Sequence, residues 1–332
     1  MVTHAFCALL LATTFLCGVR ADGGEWGQAA KIVANDGAVE DLFGYSVSVS
    51  ASTVVVGTSN SGSAYVFEKS DVGTWAQAAK LVAADAAAED KFGYSVSVSG
   101  STVVVGAEQH DDADASGASL SNSGAAYVFE KNDVGTWAQT KKLTADDRAA
   151  DDQFGHSVSV SGSTVVVGAR LDDDSFSKSG SAYVFEKSDD GTWAQTKKLT
   201  AADAAQTDWF GHSVSVSGST VVVGARLHDH AGLSYSGSAY VFEKSDVGTW
   251  AQAAKLTADG AENDQFGWSV SVSGSTVAVG ALQHDGADAS GASLSNSGAA
   301  YVFNNILPPR PCTCCERSMM SMGLFAGCDP EL

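Results

Sequence analysis

The sequence predicts an all-β fold, a β-propeller of four-stranded antiparallel blades, with five blades by repeat count. The first observation behind this prediction is the stretch FGYSVSVSGSTVVVGA at Phe92, which recurs almost unchanged at Phe43, Phe154, Phe210 and Phe266. The second is that each copy belongs to a repeat that carries four strand-like segments in the same order. The third is that no segment places apolar residues at the three- and four-residue spacing of an amphipathic helix.

The first strand-like segment of each repeat alternates valine with serine. In the second repeat, Val96 and Val98 alternate with Ser95, Ser97 and Ser99. A period of two is typical of a strand that has one apolar face. A Ser-Gly pair then turns the chain into the next segment.

The second and third segments are apolar on both faces. In the second repeat, residues 102–105 form a β-branched run and residues 126–129 read AYVF. Such runs are typical of strands that are buried on both sides. The fourth segment is a GTWAQ stretch that ends in a Lys-Leu pair. A sheet that is apolar on both faces needs similar sheets beside it, and stacked propeller blades provide them.

The two ends of the repeat region predict how the propeller closes. A fourth-strand segment, EWGQAAKIV at residues 25–33, precedes the first Phe-Gly pair, whereas the last repeat stops after its third strand at residues 300–303. We therefore expect the N-terminal strand to complete the last blade. The alternatives are an open stack of blades or a domain-swapped oligomer, both of which leave sheet edges to be covered.

The motifs FGxSVSVS, VVVGA and SAYVF resemble FG-GAP repeats, the propeller repeats of the integrin alpha-chain head and of many secreted microbial and algal proteins. The resemblance covers residues 25–303 and implies a propeller. Integrin-like heads have seven blades, whereas this sequence carries five copies. In calcium-binding FG-GAP repeats an Asp-rich loop joins the first two strands. The connection here is Ser-Gly-Ser, as at residues 99–101, which supplies no carboxylate for calcium.

The acidic residues lie instead between the second and third strands, and we expect these loops to emerge on one rim with the acidic loops that lead into the next repeat. Integrin-like heads use the corresponding rim for ligands, as the resemblance implies, and loops on a rigid scaffold commonly carry binding residues. The alternative is that the loops are merely solvated turns. The candidate ligand-binding residues are Asp111, Asp112, Asp114, Asp172, Asp173, Asp174, His228, Asp229, His230, Asp285 and Asp288.

Two subsets of the loop residues are candidates for metal binding. The adjacent acids Asp172, Asp173 and Asp174 are a candidate calcium site. A transition-metal set is the second candidate, because His228 and His230 flank Asp229, with further histidines at matching loop positions. Those further histidines are His110 and His284. For His156 and His212, which follow Phe-Gly pairs, we expect packing or hydrogen bonding.

Charge and motifs exclude several function classes. Lys and Arg total 19 against 39 Asp and Glu, and the formal net charge of -20 disfavours nucleic acid and anionic membranes as partners. The sequence contains no nucleophile elbow, HExxH motif or phosphate-binding glycine loop. An active site needs unlike residues in unlike roles, and near-identical repeats do not favour one. We therefore expect a protein that is not an enzyme.

The regions outside the repeats predict secretion. Residues 1–21 include an apolar run at 5–19 and are interpreted as a signal peptide, and no later segment is apolar enough to span a membrane. Residues 22–303 form the propeller, and residues 304–332 form a Pro- and Cys-rich tail. The disulfide candidates in the tail, which allow three pairings, are Cys312, Cys314, Cys315 and Cys328.

These observations predict a secreted, non-enzymatic propeller that mediates adhesion or binds an extracellular protein or glycan through its acidic loop face. One alternative is an extracellular hydrolase or lyase on a propeller scaffold, which a cluster of unlike polar residues at one channel mouth would favour. Another is a wall or matrix protein that forms covalent oligomers through its tail cysteines. The loop acids leave calcium open as a cofactor.

Overall fold

The computed structural model describes residues 27–87, 89–287 and 290–305. The chain divides into two compact units, Met1–Ile32 and Val33–Leu332, and every described strand lies in the second. Within the described residues there is no helix of the length and apolar character that a membrane span requires. The predicted signal peptide, Trp26 and the tail cysteines lie outside the described residues.

The described chain is all-β, and its main strands form five separate antiparallel sheets, here called blades 1 to 5. Blade 1 contains β1 (Ser46–Ser50), β2 (Thr53–Gly57), β3 (Ala64–Lys69) and β4 (Trp75–Leu81). Blade 2 contains β5 (Phe92–Ser99), β6 (Thr102–Ala107), a small hairpin of β7 (Asp112–Ala113) and β8 (Ser119–Leu120), then β9 (Ala125–Lys131) and β10 (Trp137–Leu143).

The remaining blades repeat this order. Blade 3 contains β11 (Phe154–Ser161), β12 (Thr164–Ala169), β13 (Ser181–Lys187) and β14 (Trp193–Leu199). Blade 4 contains β15 (Phe210–Ser217), β16 (Thr220–Ala225), β17 (Ser238–Lys244) and β18 (Trp250–Leu256). Blade 5 contains β19 (Phe266–Ser273), β20 (Thr276–Ala281), a hairpin of β21 (Gly286–Ala287) and β22 (Ser293–Leu294), and β23 (Ala299–Asn304).

The predicted burial pattern is confirmed in the middle of the molecule. Every residue of β6 and β12 is buried, as expected for strands covered on both faces. In β11, the side chains of Val158 and Val160 are 8% and 6% exposed, while the intervening serines are half-buried. Valine thus faces the core of the neighbouring blade, and serine faces the adjoining first strands.

The repeated serines join the first strands of consecutive blades. From blade 2 to blade 3, the hydroxyl of Ser97 accepts a hydrogen bond from the amide of Val160 at 3.0 Å, and the hydroxyl of Ser95 donates to the carbonyl of Gly155 at 2.8 Å. Equivalent bonds link the other consecutive blades. The SVSVS pattern therefore serves two purposes, since valine packs the blades together and serine sets their relative position.

Among the described residues the fifth sheet has three strands, ordered β19-β20-β23, whereas the other four sheets have four. Residues 27–33, the described part of the predicted closing strand, form no strand. The prediction that this segment completes the last blade is therefore not confirmed. Among the described residues, Glu243 has a different partner from the matching glutamates of the preceding blades. In the preceding blades the matching glutamates accept a hydrogen bond from the tryptophan of the next fourth strand, whereas Glu243 accepts one from Asn305 at 3.3 Å.

Candidate functional site

Two sets of loops meet at one end of the blades, which we call the acidic loop end. The first set joins the second and third strands of a blade, and the second leads from one blade into the next. Between blades 2 and 3, the amide of Asp151 donates to the carbonyl of Ser121 at 2.8 Å, and the amide of Gln153 donates to that of Asn122 at 3.1 Å. The sequence-based expectation that both acidic loop sets emerge on the same side is thus met in the described loops.

Four of the predicted ligand-binding aspartates fasten their own loops. Each lies near the start of a loop and accepts a hydrogen bond from the amide of a residue with positive φ near the loop end. The pairs are Asp111 with Asn122 at 2.8 Å, Asp173 with Lys178 at 2.5 Å, Asp229 with Tyr235 at 2.8 Å, and Asp285 with Asn296 at 2.7 Å. A carboxylate that accepts an amide in this way stabilises a backbone conformation that is otherwise costly for a residue with a side chain.

Four further predicted residues have local roles or no described role. Asp112 lies 3.2 Å from the Nε of Arg148, and Asp114 accepts hydrogen bonds from Ser116 and Ala118 within its own turn. The hydrogen bond from the Ser116 hydroxyl is the main cause that lowers the pKa of Asp114. His230 makes its described hydrogen bonds through its backbone amide and carbonyl, and Asp288 lies outside the described residues.

The predicted calcium acids are only partly brought together. Asp172 and Asp174 converge with Asp147 from the preceding loop, and potential ligand atoms of these three residues lie within 4.8 Å of one another. Asp173 instead fastens its loop. Lys198 from β14 lies among the three acids, with its Nζ 2.7 Å from Asp147 and 3.0 Å from Asp172. The cluster therefore already contains a cation supplied by the protein itself.

The charge of Lys198 is firmly held. Burial opposes the ammonium form, but the hydrogen bonds that Lys198 donates to Asp147 and Asp174 outweigh it and raise the pKa of Lys198. Asp172 is 2% exposed and also accepts a hydrogen bond from the Tyr183 hydroxyl at 2.7 Å. A buried carboxylate requires such partners, because an unpaired charge would be very costly away from water.

In blades 2 and 4 a histidine takes the place of Asp172. His228 lies between the carboxylate of Asp208, 2.9 Å from its Nδ1, and the ammonium of Lys255, 2.8 Å from its Nε2. His110 has the same arrangement with Asp90 and Lys142. The side chains of His110 and His228 thus bind partners within their own blades. In the described part of the chain, the only group of three potential metal ligands is the Asp147–Asp172–Asp174 cluster.

Blade 3 pairs two acids where blades 2 and 4 pair an acid with a histidine. Asp152 occupies the position of Asp90 and Asp208, and its neighbour at the histidine position is Asp172. Burial, followed by the charge of Asp172, raises the pKa of Asp152 to about 7. This carboxyl group is therefore a candidate proton-binding group near neutral pH.

A cavity of about 540 Å³ opens at the acidic loop end of blades 1 and 2. Its lining residues include four acids, namely Asp85, Glu89, Asp90 and Asp111. The Nζ of Lys142 lies 2.9 Å from the carboxylate of Asp85, and the Nδ1 of His110 lies 2.9 Å from that of Asp90. The side chain of Glu89 has no ion pair or hydrogen bond within the described residues. The cavity therefore presents excess negative charge to a ligand from solution.

Comparison with protein families agrees with this architecture. The sequence model of the FG-GAP repeat matches residues 26–67, 75–129, 137–185, 193–242 and 250–303. The chain belongs to the FG-GAP repeat family. Each match begins at the tryptophan of a fourth-strand segment, so one FG-GAP match joins that segment to the first three strands that follow it. Comparison with curated proteins found no match to the chain.

The sequence analysis did not predict a second polar site of this FG-GAP protein, which we call the arginine–histidine cluster. It lies where the first strands begin and contains Glu108, His156, Arg170, His212 and Arg226. The Nδ1 of His156 lies 2.7 Å from the carboxylate of Glu108, and its Nε2 lies 3.2 Å from the Nδ1 of His212. These residues come from three different blades.

The cluster carries net positive charge in an acidic protein. Burial, with the nearby charge of Arg170, lowers the pKa of Arg226 to about 10, so its guanidinium stays charged at neutral pH. Burial also lowers the pKa of His212 to about 2 and the pKa of His156, so both imidazoles are neutral. The cluster thus contains two guanidiniums and one carboxylate, and the carboxylate of Glu108 lies 3.8 Å from Arg170. The guanidinium of Arg226 lies 4.4 Å and 4.5 Å from the ring centres of Trp209 and Trp268.

A weak sequence signal marks this cluster. The residue that follows Gly-Ala after the second strand differs in almost every repeat, although the motif before it hardly changes. At this position the chain carries Ser59, Glu108, Arg170, Arg226 and Leu282. Variation directly after a constant motif distinguishes positions that face a shared site from positions that only build the blade.

Proposed function

We propose that this FG-GAP protein is a secreted, non-enzymatic binding module whose acidic loop end contacts a basic patch of an extracellular protein. The observation that carries this proposal is the acidic cavity of blades 1 and 2, with the side chain of Glu89 and part of the Asp111 carboxylate available to solvent. Secretion is proposed from the apolar segment before residue 21. A glycan that carries amino groups would offer the same charge complementarity.

The geometry favours recognition through this end for a physical reason. The loops are fastened by the aspartate–amide bonds and by lysine–carboxylate pairs, so little conformational entropy is lost when a partner binds. An acidic surface also accelerates encounters with a basic partner. Calcium is a further candidate ligand at the Asp147–Asp172–Asp174 cluster, where it would have to displace the ammonium of Lys198.

Binding of a fluorescent oligolysine peptide to the full chain tests the proposal. The test variant is Glu89→Gln combined with Asp111→Asn, which removes two charges and keeps an acceptor for the Asn122 amide. The matched control is Asp71→Asn combined with Asp246→Asn, which removes two charges from exposed turns at the opposite end of the blades. We expect the cavity variant to weaken binding about tenfold and the control less than twofold.

Two results would contradict the proposal. Equal losses in both double variants would mean that the peptide responds to overall charge and not to the acidic loop end. A wild-type affinity that does not weaken with added salt would mean that charge does not drive the interaction.

A second candidate function, an extracellular hydrolase or lyase, is favoured by one observation. The arginine–histidine cluster is a set of unlike polar residues in which Glu108 orients the neutral base His156. Two guanidiniums beside it suit a substrate that carries a carboxylate. This candidate requires turnover, whereas the binding module does not.

Turnover assays decide between the two functions. Hydrolysis of a chromogenic ester and cleavage of an acidic polysaccharide should both be measured with His156→Ala and with His284→Ala, because His284 binds Asp264 outside the cluster. Turnover that is lost only in His156→Ala would support the enzyme. Turnover that neither substitution affects would come from a contaminant and would remove this candidate.

A further inference from the structure

Arginine and tryptophan side chains alternate along the arginine–histidine cluster. The guanidinium of Arg170 lies 5.0 Å from the ring centre of Trp209, and the guanidinium of Arg226 lies 4.4 Å from the same ring centre. Arg226 also lies 4.5 Å from the ring centre of Trp268. The two indole rings stabilise the charge of Arg226 through cation–π attraction, but they offer no acceptor for its N–H groups.

Arg226 has no carboxylate partner within the described residues, whereas Arg170 has one. The Nη2 of Arg170 lies 3.8 Å from the carboxylate of Glu108, which comes from the preceding blade. At the matching positions on either side of Arg226, the preceding blade carries Arg170 and the following blade carries Leu282. The chain contains 39 Asp and Glu residues, so an unpaired guanidinium in it calls for an explanation.

One edge of the Arg226 guanidinium makes no hydrogen bond within the described residues. The Nη1 atom donates to the side-chain oxygen of Gln265 at 2.5 Å. On the other edge, the Nε of Arg226 is buried and has no acceptor, and the Nε1 of the adjacent Trp209 is buried without an acceptor as well. The edge formed by Nε and Nη2 is a fork that suits a carboxylate, because both carboxylate oxygens can accept from it.

Two neutral imidazoles provide an acceptor near this guanidinium. The Nδ1 of His156 lies 2.7 Å from the carboxylate of Glu108, so this nitrogen carries the proton of the neutral ring. The Nε2 of His156 then accepts from the Nδ1 of His212 at 3.2 Å. The Nε2 of His212 therefore carries a lone pair, and it has no donor within the described residues. The ring of His212 lies 5.0 Å from that of Trp268, which also contacts Arg226.

A ligand that matches both groups carries a carboxylate and a hydroxyl group. The carboxylate would accept from the Arg226 fork, and the hydroxyl would donate to the Nε2 of His212. Sulfate would satisfy the guanidinium but has no hydroxyl to donate to the imidazole. The indole rings beside the guanidinium keep water away from its hydrogen bonds, which strengthens them.

We propose that the arginine–histidine cluster binds a small hydroxycarboxylate, such as a sugar acid, through Arg226 and His212. The carboxylate lies in the plane of the Arg226 guanidinium, and a hydroxyl group of the ligand donates to His212. Glu108 and His156 are positioning residues, because they fix the tautomer of His212. This site differs from the acidic loop end and needs no turnover, so the inference goes beyond both candidate functions and depends on neither.

A bound carboxylate would also offset the electrostatic cost of the cluster. Burial, followed by the charge of Arg170, disfavours the guanidinium form of Arg226 and lowers its pKa. A negative group on the unpaired edge opposes both effects. The ligand should therefore stabilise the folded protein as well as bind to it.

Titration of the full chain with sodium glucuronate tests the proposal. Tryptophan fluorescence is the readout, because Trp209 and Trp268 flank Arg226, and sodium chloride at equal ionic strength is the reference. We expect a saturable change with a dissociation constant of about 1 mM or lower. Glucose, which lacks the carboxylate, and sulfate should each bind at least about tenfold more weakly. No saturable change up to about 50 mM glucuronate, or equally tight binding of sulfate, would overturn the proposal.

Substitutions of the arginine test the fork. Arg226→Gln should weaken glucuronate binding at least about tenfold, and Arg226→Lys, which keeps the charge but not the fork, should weaken it at least about fivefold. The matched control is Arg148→Gln, which removes a guanidinium that pairs with Asp112 outside the cluster and should leave binding unchanged. Wild-type affinity in Arg226→Gln would mean that Arg226 only separates two indole rings, and would overturn the proposal.

A histidine substitution tests the hydroxyl contact. His212→Phe keeps a ring beside Trp268 but has no acceptor, so it should weaken glucuronate binding about tenfold. Cyclohexanecarboxylate is the matched ligand, since it has a carboxylate on a six-membered ring and no hydroxyl group. Its affinity should be the same in His212→Phe and in the wild-type protein. Equal losses for both ligands would mean that the variant disturbs packing, and an unchanged glucuronate affinity would remove His212 from the site; either result would overturn the assignment of a hydroxycarboxylate.

Discussion

The junction between blades 3 and 4 and the back face of blade 5, which contains Gly280, are built from nearly the same sequence but differ in what covers them. At the junction, Gly168 lies against the carbonyl of Gly211, and Val166 is fully buried. On blade 5 the matching Gly280 faces an open cavity, and the matching side chain, Ala278, is half-buried. A repeat motif therefore specifies one half of an interface, and the neighbouring blade decides whether that half is used.

The polar ends of the junctions vary more than their apolar centres. The valines and serines of the first strands are constant, whereas the residue beside the incoming loop is His110 in blade 2, Asp172 in blade 3 and His228 in blade 4. Packing at the centre tolerates little change in volume, while the loop end can exchange one hydrogen-bonding residue for another. The following predictions test this contrast, from the largest expected effect to the smallest.

The largest effect is expected from glycine substitutions. Gly168→Ala should lower the free energy of unfolding by about 3 kcal/mol, because its Cβ overlaps a backbone carbonyl that cannot rotate away. Gly280→Ala, the same change on the back of blade 5, should cost less than about 0.5 kcal/mol, because its Cβ meets only the rotatable hydroxyl of Ser269. Urea unfolding measures both. Equal destabilisation would mean that the back of blade 5 is covered as the junction is.

Removal of an internal cation should have the next largest effect. Lys198→Met leaves the buried Asp172 without its ammonium partner and should lower the free energy of unfolding by about 2 kcal/mol. The neighbouring exposed Lys197→Met is the matched control and should have almost no effect.

Thermal melts with calcium and with chelator extend this prediction. Calcium should raise the melting temperature of Lys198→Met, in which three carboxylates are left together, and leave the wild-type protein unchanged. A calcium response in the wild-type protein would instead show that an ion competes with the lysine.

A smaller effect is expected from valine truncation. Val160→Ala should lower the free energy of unfolding by about 1.5 kcal/mol, because two buried methyl groups are lost from the junction of blades 2 and 3. Val49→Ala, at the matching position of blade 1, should change it by less than about 0.5 kcal/mol. Chemical denaturation compares the two, and a Val49 effect as large as that of Val160 would contradict the exposure of Val49.

The smallest effect concerns the two acids of blade 3. The pKa of Asp152 is raised to about 7, mainly by burial, so the folded state holds a proton that the unfolded chain releases near pH 4. Stability should therefore fall as pH rises from about 4 to about 7. Asp152→Asn should remove this dependence and, after allowance for solvent screening, stabilise the protein by about 1 kcal/mol at pH 8.

Unfolding at several pH values checks this prediction. The exposed Asp146→Asn, in the same loop, is the control and should leave the pH dependence as it is in the wild-type protein. A wild-type stability that does not change between pH 4 and pH 8 would contradict the raised pKa of Asp152.

The strands and the face each residue occupies were predictable from sequence, because alternation of Val96 with serine and the continuous run before Gly106 report burial directly. The roles of the loop acids were not predictable from the sequence. Asp111 and Asp173 looked like ligands, yet each accepts a backbone amide of its own loop, and such a bond depends on loop geometry that composition does not reveal. The pairing of Asp172 with Lys198 was also hidden, because 26 residues separate them.

The sequence alone determined that five copies of one motif build stacked antiparallel sheets, since valine alternation and Ser-Gly turns act over a few residues. Only the tertiary structure decided which acids meet which cations and that His156 and Arg226 share one cluster. The physical reason is the distance along the chain over which each kind of interaction acts. Strand patterning is local, whereas charge pairing and the covering of a blade depend on which distant segment lies beside it.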